Sequence, residues 1–95
     1  MMSYTSESAE TLALQALAWL AGDDDLMATF LGSTGASKDE LRAQAKEPAF
    51  LGAVLDFIMM DDTWVVAFSD SVSVPYERLM MARSALPGGE QVHWT

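Results

Sequence analysis

The amino-acid sequence predicts an all-α fold, a compact orthogonal bundle of five to six short helices around a central apolar helix at about residues 48–60. Three observations lead to this prediction. Apolar residues recur at helical spacing, Ser, Asp, Pro and Gly stand where helices begin and end, and no segment shows the period of a half-buried strand. With 95 residues, 51% hydrophobic and 20% charged, the chain has the composition of one ordinary globular domain.

The first helix is predicted from its cap and its apolar stripe. Ser6 is a suitable N-cap, and Gly22 stops the helix after about Ala21. One side of this helix is apolar over its whole length, which is typical of an amphipathic helix packed on a core. The residues of that side are Leu12, Ala13, Ala16, Leu17, Trp19 and Leu20.

A second, short helix is predicted to begin at Asp23 or Asp24 and to end before Gly32. The stretch 32–36, Gly-Ser-Thr-Gly-Ala, has the composition of a loop. We therefore expect this helix to contribute one apolar face of about two turns. The residues of that face are Leu26, Met27, Phe30 and Leu31.

A capping box and a proline delimit the third and the central helix. Ser37 and Glu40 have the capping-box spacing, and Leu41 is the main apolar anchor of the third helix. Pro48 closes that helix and suits the first turn of the next. The next helix is apolar over most of its circumference, so we expect other helices to surround it. Its apolar arc comprises Phe50, Leu51, Val54, Leu55, Phe57, Ile58 and Met59.

Two further helices complete the predicted domain. Asp61 or Asp62 caps the fifth, which carries Trp64, Val65, Phe68 and Val72. The sixth starts at Ser73-Val-Pro75, aligns Leu79, Ala82 and Leu86, and ends at Pro-Gly-Gly89. We therefore expect a single domain over residues 6–89 and a flexible tail over residues 90–95.

Charge and composition restrict the classes of function. Fourteen acidic and five basic residues give a net charge of −9, which disfavours nucleic acids and anionic membranes and favours a basic protein partner. Most acids lie where helices begin, so capping and solubility also explain them. The sequence has no cysteine, signal peptide or apolar run long enough to span a bilayer. We expect a cytoplasmic protein, a monomer or weak homodimer, without membrane contact.

The central helix offers one candidate for a protein-binding surface. Gly52 and Asp56 lie on a narrow stripe of small residues, and Met60 continues that stripe. Asp56 is expected at the surface, beside Arg78 or Arg83, because an unpaired buried carboxylate is costly. Flexible thioethers suit adaptable binding surfaces, although they also fill irregular cores. The sequence therefore predicts a docking stripe of Gly52, Asp56 and Met60, with Met81 alongside.

Lys38, Arg42 and Lys46 form the other candidate, a basic ridge at i, i+4 and i+8 for an anion or an acidic partner. An ordinary pair of Arg42 with Asp39 is the alternative interpretation. The run of acids at 23–25 lacks the ligand spacing of a calcium loop, and His93 stands alone in the predicted tail. We therefore expect no metal site, no cofactor and no catalytic residue.

Several strings of the sequence carry a family resemblance. They are Glu-Pro-Ala-Phe-Leu-Gly-Ala-Val-Leu-Asp-Phe at 47–57, Leu41-Arg42 before it, Ala82-Arg83 and Leu86-Pro-Gly-Gly89 after it, and Ala-Leu-Gln-Ala-Leu-Ala at 13–18. Together they resemble a small bacterial family of uncharacterised proteins, domain-of-unknown-function family 3572. The resemblance extends from about residue 7 to residue 89. It implies a small stand-alone bacterial protein, and it brings no activity, ligand or catalytic residue with it.

The function predicted from these observations is that of a small acidic helical protein–protein interaction module without catalytic activity. An alternative comes from Asp70-Ser71-Val72, which resembles the Asp-Ser-Leu context of acyl carrier proteins. That resemblance implies a phosphopantetheine arm on Ser71. It also implies that the serine opens a helix, and here Pro75 follows almost at once.

Overall fold

The computed structural model describes residues 6–86, and the side chains from residue 7 onward. Within that range the protein consists of helices joined by short connections, and no strand occurs there. The predicted all-α class is therefore confirmed. The α-helices are α1 (Ser6–Ala21), α2 (Asp24–Thr34), α3 (Leu41–Gln44), α4 (Pro48–Ile58), α5 (Asp62–Val72) and α6 (Tyr76–Ala85), and a 3₁₀ turn (Lys38–Glu40) precedes α3.

Helix α4 lies at the centre of the fold, as its apolar circumference predicts. It contacts α1, α2, α5 and α6 and buries most of its residues. Helix α1 shares this central position, because it contacts α2, α4, α5 and α6 and packs most extensively on α4 and α6. Several buried residues of α1 are alanines, whose small side chains allow helix axes to approach closely (Ala9, Ala13 and Ala16).

Aromatic rings connect the helices around α4. Phe30 of α2 lies edge-to-face with Phe57 of α4, at a centroid distance of 5.3 Å. Phe57 in turn stacks on Trp64 of α5 at 5.0 Å. On the other side of the core, Trp19 of α1 meets the fully buried Phe68 of α5 edge-on at 5.9 Å. These pairs join α2 and α5 to the central helix, and α1 to α5, through rings rather than through aliphatic contacts alone.

Helix α2 is longer than its sequence predicts. It continues through Gly32 and ends at Gly35, which adopts the left-handed conformation (φ 77°) and donates its N–H to the carbonyl of Leu31 at 2.9 Å. The hydroxyls of Ser33 and Thr34 donate to the carbonyl of Phe30 at 3.1 and 3.0 Å, so the polar residues complete the last turn. The predicted loop at 32–36 is therefore wrong for its first three residues.

The two glycines of this segment are expected to respond oppositely to alanine. Gly32→Ala should raise the free energy of unfolding by about 0.5–1 kcal/mol, because alanine is the better helix former and a Cβ there meets no atom within 4 Å. Gly35→Ala should lower it by about 1–2 kcal/mol, because the left-handed conformation strains alanine. Urea unfolding of both variants measures the difference. Equal effects of the same sign would contradict the assigned helix end.

Acidic side chains start two of the helices, as predicted. Asp23 accepts hydrogen bonds from the backbone N–H groups of Asp25 and Leu26 at the start of α2. Asp61 accepts from both the backbone N–H (2.9 Å) and the hydroxyl (2.5 Å) of Thr63 at the start of α5. The predicted capping box is also present, with the Ser37 N–H donating to Glu40 Oε1 at 3.1 Å. It opens a 3₁₀ turn and the single turn of α3 rather than one longer helix.

The Asp61 cap predicts a dependence of stability on pH. Its hydrogen bonds, first that from the Thr63 hydroxyl, lower the pKa of the Asp61 carboxyl below its ordinary value. A lowered pKa in the folded state stabilises the protein above the unfolded pKa of about 3.9, and this contribution is lost as the pH falls further. Asparagine caps a helix without titrating. Below about pH 4, the melting temperature of wild type should therefore fall relative to that of Asp61→Asn, so the difference between the two changes with pH. A difference that stays constant across that range would contradict the assignment.

Candidate functional site

An open cavity of about 280 Å³ lies where the end of α4 meets the first turns of α5 and α6. We call it the methionine groove, because methionines from two helices contribute to its walls. Most of its wall is apolar, and the carboxylate of Asp62 and the phenol of Tyr76 are its polar groups. Its lining residues are Met59, Asp62, Val65, Tyr76, Leu79 and Met80.

Large apolar side chains at this groove remain accessible to solvent. Met80 is 63% exposed and Tyr76 is 49% exposed. Met60, which follows the groove residue Met59, is 75% exposed, the largest value among the exposed large hydrophobic residues of the described range. By contrast, Leu79 is fully buried and forms the floor. The groove is therefore a recess in the core surface, with the exposed side chain of Met80 on its rim.

Acidic residues dominate the chain around the groove. Residues 59–81 contain four acids and one base, Arg78, which follows Tyr76 and Glu77 in the first turn of α6. Asp62 is exposed and lines the groove itself. On α5, Asp62, Val66 and Asp70 are spaced four residues apart, and all three are exposed, so they form one outer stripe. The groove thus combines an apolar floor with a predominantly negative surround.

A two-pronged ion pair fixes α6, which carries one wall of the groove, to α4. Arg83 Nε donates to Asp56 Oδ1 at 2.6 Å, and the terminal guanidinium nitrogen Nη2 donates to Asp56 Oδ2 at 3.0 Å. The Arg83 side chain is only 16% exposed, whereas that of Asp56 is 54% exposed. The prediction of a surface Asp56 beside Arg83 is confirmed. The guanidinium of Arg83 connects α6 to α4 through a two-point hydrogen-bond geometry that lysine cannot reproduce.

The predicted docking stripe does not form a continuous surface. Gly52 is buried within α4, so it lies inside the helix packing rather than on a face open to a partner. Asp56 lies at the surface but is held by Arg83. Met60 and Met81 are exposed, the latter by 41%. Of the predicted stripe, only the methionines therefore offer apolar surface, and the prediction of a flat face centred on Gly52 is wrong.

The predicted basic ridge is interrupted by a change of helix type. Lys38 lies in the 3₁₀ turn, Arg42 in α3, and Lys46 beyond the end of α3, all three exposed. The acids Asp39, Glu40 and Glu47 alternate with them, so the segment 38–47 carries no net charge. Lys38 also borders a second cavity of about 260 Å³, whose other lining residues are Ala21, Asp24, Met27, Ala28, Leu31 and Leu41. The ridge is not a strongly positive surface.

The remaining candidate residues do not assemble into a reaction centre in the described range. Ser71 is exposed but lies in the last turn of α5, where its hydroxyl donates to the carbonyl of Phe68 at 2.7 Å. The carrier-like alternative needs this serine at a helix start, and the structure places it at the opposite end. Within residues 6–86, no three acidic or histidine side chains come close enough to hold a metal ion. His93 and the tail 90–95 lie outside the described residues.

The methionines predicted to bind a partner, Met60 and Met81, do not line the groove, whereas their neighbours Met59 and Met80 do. The available signal was the pairing of Met59-Met60 with Met80-Met81 near acid-rich helix starts. Which member of a pair faces the other helix depends on how α4, α5 and α6 cross, and helical periodicity within one segment does not contain that information.

Comparison with known proteins identifies a family and adds no activity. None of the helices in the described range is both long and apolar enough to cross a membrane. No curated protein and no solved structure matches the chain. The model of a family described as "Protein of unknown function (DUF3572)" matches residues 6–89, which include all six α-helices and the methionine groove. The chain therefore belongs to the DUF3572 family.

Proposed function

We propose that this protein is a protein-binding module and that the methionine groove is its contact surface. The observation that supports the proposal is an open apolar recess of about 280 Å³ whose lining includes the exposed residues Met80 and Tyr76. Exposed apolar side chains are unremarkable singly, but exposed ones grouped at one recess are typical of a site that binds another molecule. Met80 and Tyr76 lie four residues apart, so they contribute to that recess from one face of α6.

The chemistry of the lining favours a protein ligand over a reacting substrate. Methionine side chains are unbranched and polarisable, so they adapt to partners of different shape. A phenol such as that of Tyr76 supplies an apolar ring with one polar end, a combination enriched at protein interfaces. The remaining polar group of the lining, Asp62, is an exposed carboxylate at a helix start. The groove therefore offers binding surface, and catalysis forms no part of the proposal.

The partner is expected to present an apolar helix face, because a groove between helices accepts an amphipathic helix through a few anchoring side chains. A suitable probe is a synthetic helical peptide with a leucine face. It is titrated into protein whose methionine methyl groups carry ¹³C, and the methyl resonances are followed by NMR. We expect the methyl resonances of Met59 and Met80, the two methionines that line the groove, to shift. Met27, which is buried in α2 and lines the second cavity, serves as the internal control.

Two outcomes would overturn this proposal. Methyl resonances that remain unchanged at peptide concentrations in the millimolar range, where weak contacts near −4 kcal/mol are half saturated, would exclude binding at the groove. Shifts confined to Met27 would place binding at the second cavity. Sedimentation of the free protein provides a further test of what occupies the groove. If the protein is a dimer in which Met80 is protected from solvent, a second copy of the chain occupies the groove.

A further inference from the structure

We infer that the ligand of the methionine groove is a basic amphipathic helix of another protein, whose apolar anchor enters the groove while its cationic residues meet the acidic surround. This inference rests on the proposed function and specifies the partner. It follows from the size of the recess, the sign of the charge around it and the positions of the acids relative to its apolar floor.

The recess is large enough for one bulky side chain. A closed cavity of about 150 Å³ holds a benzene molecule, and the groove has about 280 Å³ of open volume. Its floor, Leu79, is buried, while the thioether of Met80 stands at the rim with 63% of the residue exposed. A leucine or phenylalanine anchor would therefore be covered by Met80 and would displace water from the accessible parts of Val65 and Tyr76.

Charge complementarity selects a cationic partner. Asp62 borders the recess directly, and Glu77 is exposed and follows the lining residue Tyr76 in the first turn of α6. Asp70 extends the acidic stripe along α5, and Arg78 is the single base between residues 59 and 81. A helix seated at the groove would thus have carboxylates of α5 and α6 near its polar flanks. Lysine or arginine on those flanks gains attraction and a faster encounter, whereas glutamate is repelled.

A second copy of the chain is a poor occupant by the same reasoning. Each copy carries a net charge of −9, so association of identical surfaces brings like charges together. The basic residues at 38–46 alternate with acids and provide no strongly cationic helix face. The partner that complements this groove is therefore a different protein with a basic segment.

The inference is tested with peptides that share one leucine face and differ only in the polar face, which is built from lysine, glutamine or glutamate. We expect the lysine peptide to bind at least about tenfold more tightly than the glutamine peptide, which corresponds to about 1.4 kcal/mol. The glutamate peptide should bind least. The advantage of the lysine peptide should shrink as salt is raised from low to physiological ionic strength, because screening weakens surface charge pairs.

Charge-neutralising variants locate the effect. The double variant Asp62→Asn and Glu77→Gln should remove most of the advantage of lysine over glutamine. Asp39→Asn, which neutralises an exposed acid on the 3₁₀ turn, should leave that advantage within about twofold, equivalent to about 0.4 kcal/mol. Both variants alter exposed side chains and should retain the wild-type circular dichroism spectrum.

The outcomes separate this inference from the proposed function. If all peptides bind equally and shift the groove methyls alike, the groove is a protein-binding site without charge selection, and the inference fails alone. If Asp39→Asn weakens binding of the lysine peptide by as much per neutralised charge as the double variant does, the attraction comes from the net charge and the groove carboxylates have no special part, which also overturns it. If no peptide shifts the groove methyls, both the inference and the proposed function fail.

Discussion

Replacing Leu55 by alanine is expected to lower the free energy of unfolding by about 2–5 kcal/mol, the range found for buried leucines. Leu55 is fully buried in α4, the helix that contacts α1, α2, α5 and α6. Truncation removes apolar contacts and leaves a cavity that four packed helices fill only in part. Unfolding in urea, monitored by circular dichroism, measures the change.

Leu14→Ala provides the matched control for Leu55→Ala. Leu14 is the same residue type in a helix of the same core, but it is 45% exposed. A surface substitution of this kind changes stability by about 0.5 kcal/mol at most. If Leu55→Ala and Leu14→Ala unfold at the same urea concentration, α4 does not occupy the centre of the fold.

Replacing Gly52 by leucine is expected to destabilise the protein by about 1–3 kcal/mol or more, because extra side-chain volume in a packed interior forces its neighbours apart. Gly52 is buried in α4 between the core residues Leu51 and Val54. Ala49→Leu is the control, since Ala49 lies one turn earlier on the same helix and is exposed. Its effect should stay within about 0.5 kcal/mol.

Gly52→Leu also decides whether the small-residue stripe of α4 is an internal helix–helix contact or a docking surface. Thermal unfolding of Gly52→Leu and Ala49→Leu compares the two positions directly. A Gly52→Leu variant as stable as wild type would mean that Gly52 faces open space, and the docking stripe predicted from the sequence would regain its basis. Loss of stability at Gly52 alone assigns the glycine to internal packing.

Local chemistry explains why most helix boundaries follow from the sequence. Asp23, Ser37 and Asp61 are cap residues whose hydrogen bonds reach only two or three positions along the chain. Pro48 is compatible with a first helical turn and incompatible with continuation of α3. Such signals act within one turn of a helix, so they can be recognised in the sequence without knowledge of the fold.

The end of α2 shows where local signals become ambiguous. Gly32 and Gly35 are both plausible stops, and the stretch between them is polar. A glycine inside a helix costs about 1 kcal/mol relative to alanine, which the neighbouring turns of α2 can offset. The stop is Gly35 because its left-handed conformation completes hydrogen bonding to Leu31. That choice depends on three-dimensional geometry at the last turn, and composition does not reveal it.

The candidate site depends still more on tertiary structure. The sequence predicts an acidic protein with Met60 and Met81 at a binding surface, whereas the exposed methionine that lines the recess is Met80. The recess itself exists because the end of α4 and the first turns of α5 and α6 converge, held in part by Arg83 and Asp56. Periodicity predicts the apolar face of each helix separately. It does not predict which faces remain uncovered once the helices pack.

The central claim, that the methionine groove binds protein, is tested most directly by comparing Met80→Glu with Met81→Glu. Both residues are exposed on α6, but only Met80 lines the groove. Each substitution adds one negative charge, so net charge is matched between the variants. With the glutamine-faced peptide, Met80→Glu should weaken binding at least about tenfold, because a carboxylate then stands where the apolar anchor enters. Met81→Glu should leave the affinity within about twofold. Equal affinities of the two variants for the peptide would contradict the claim.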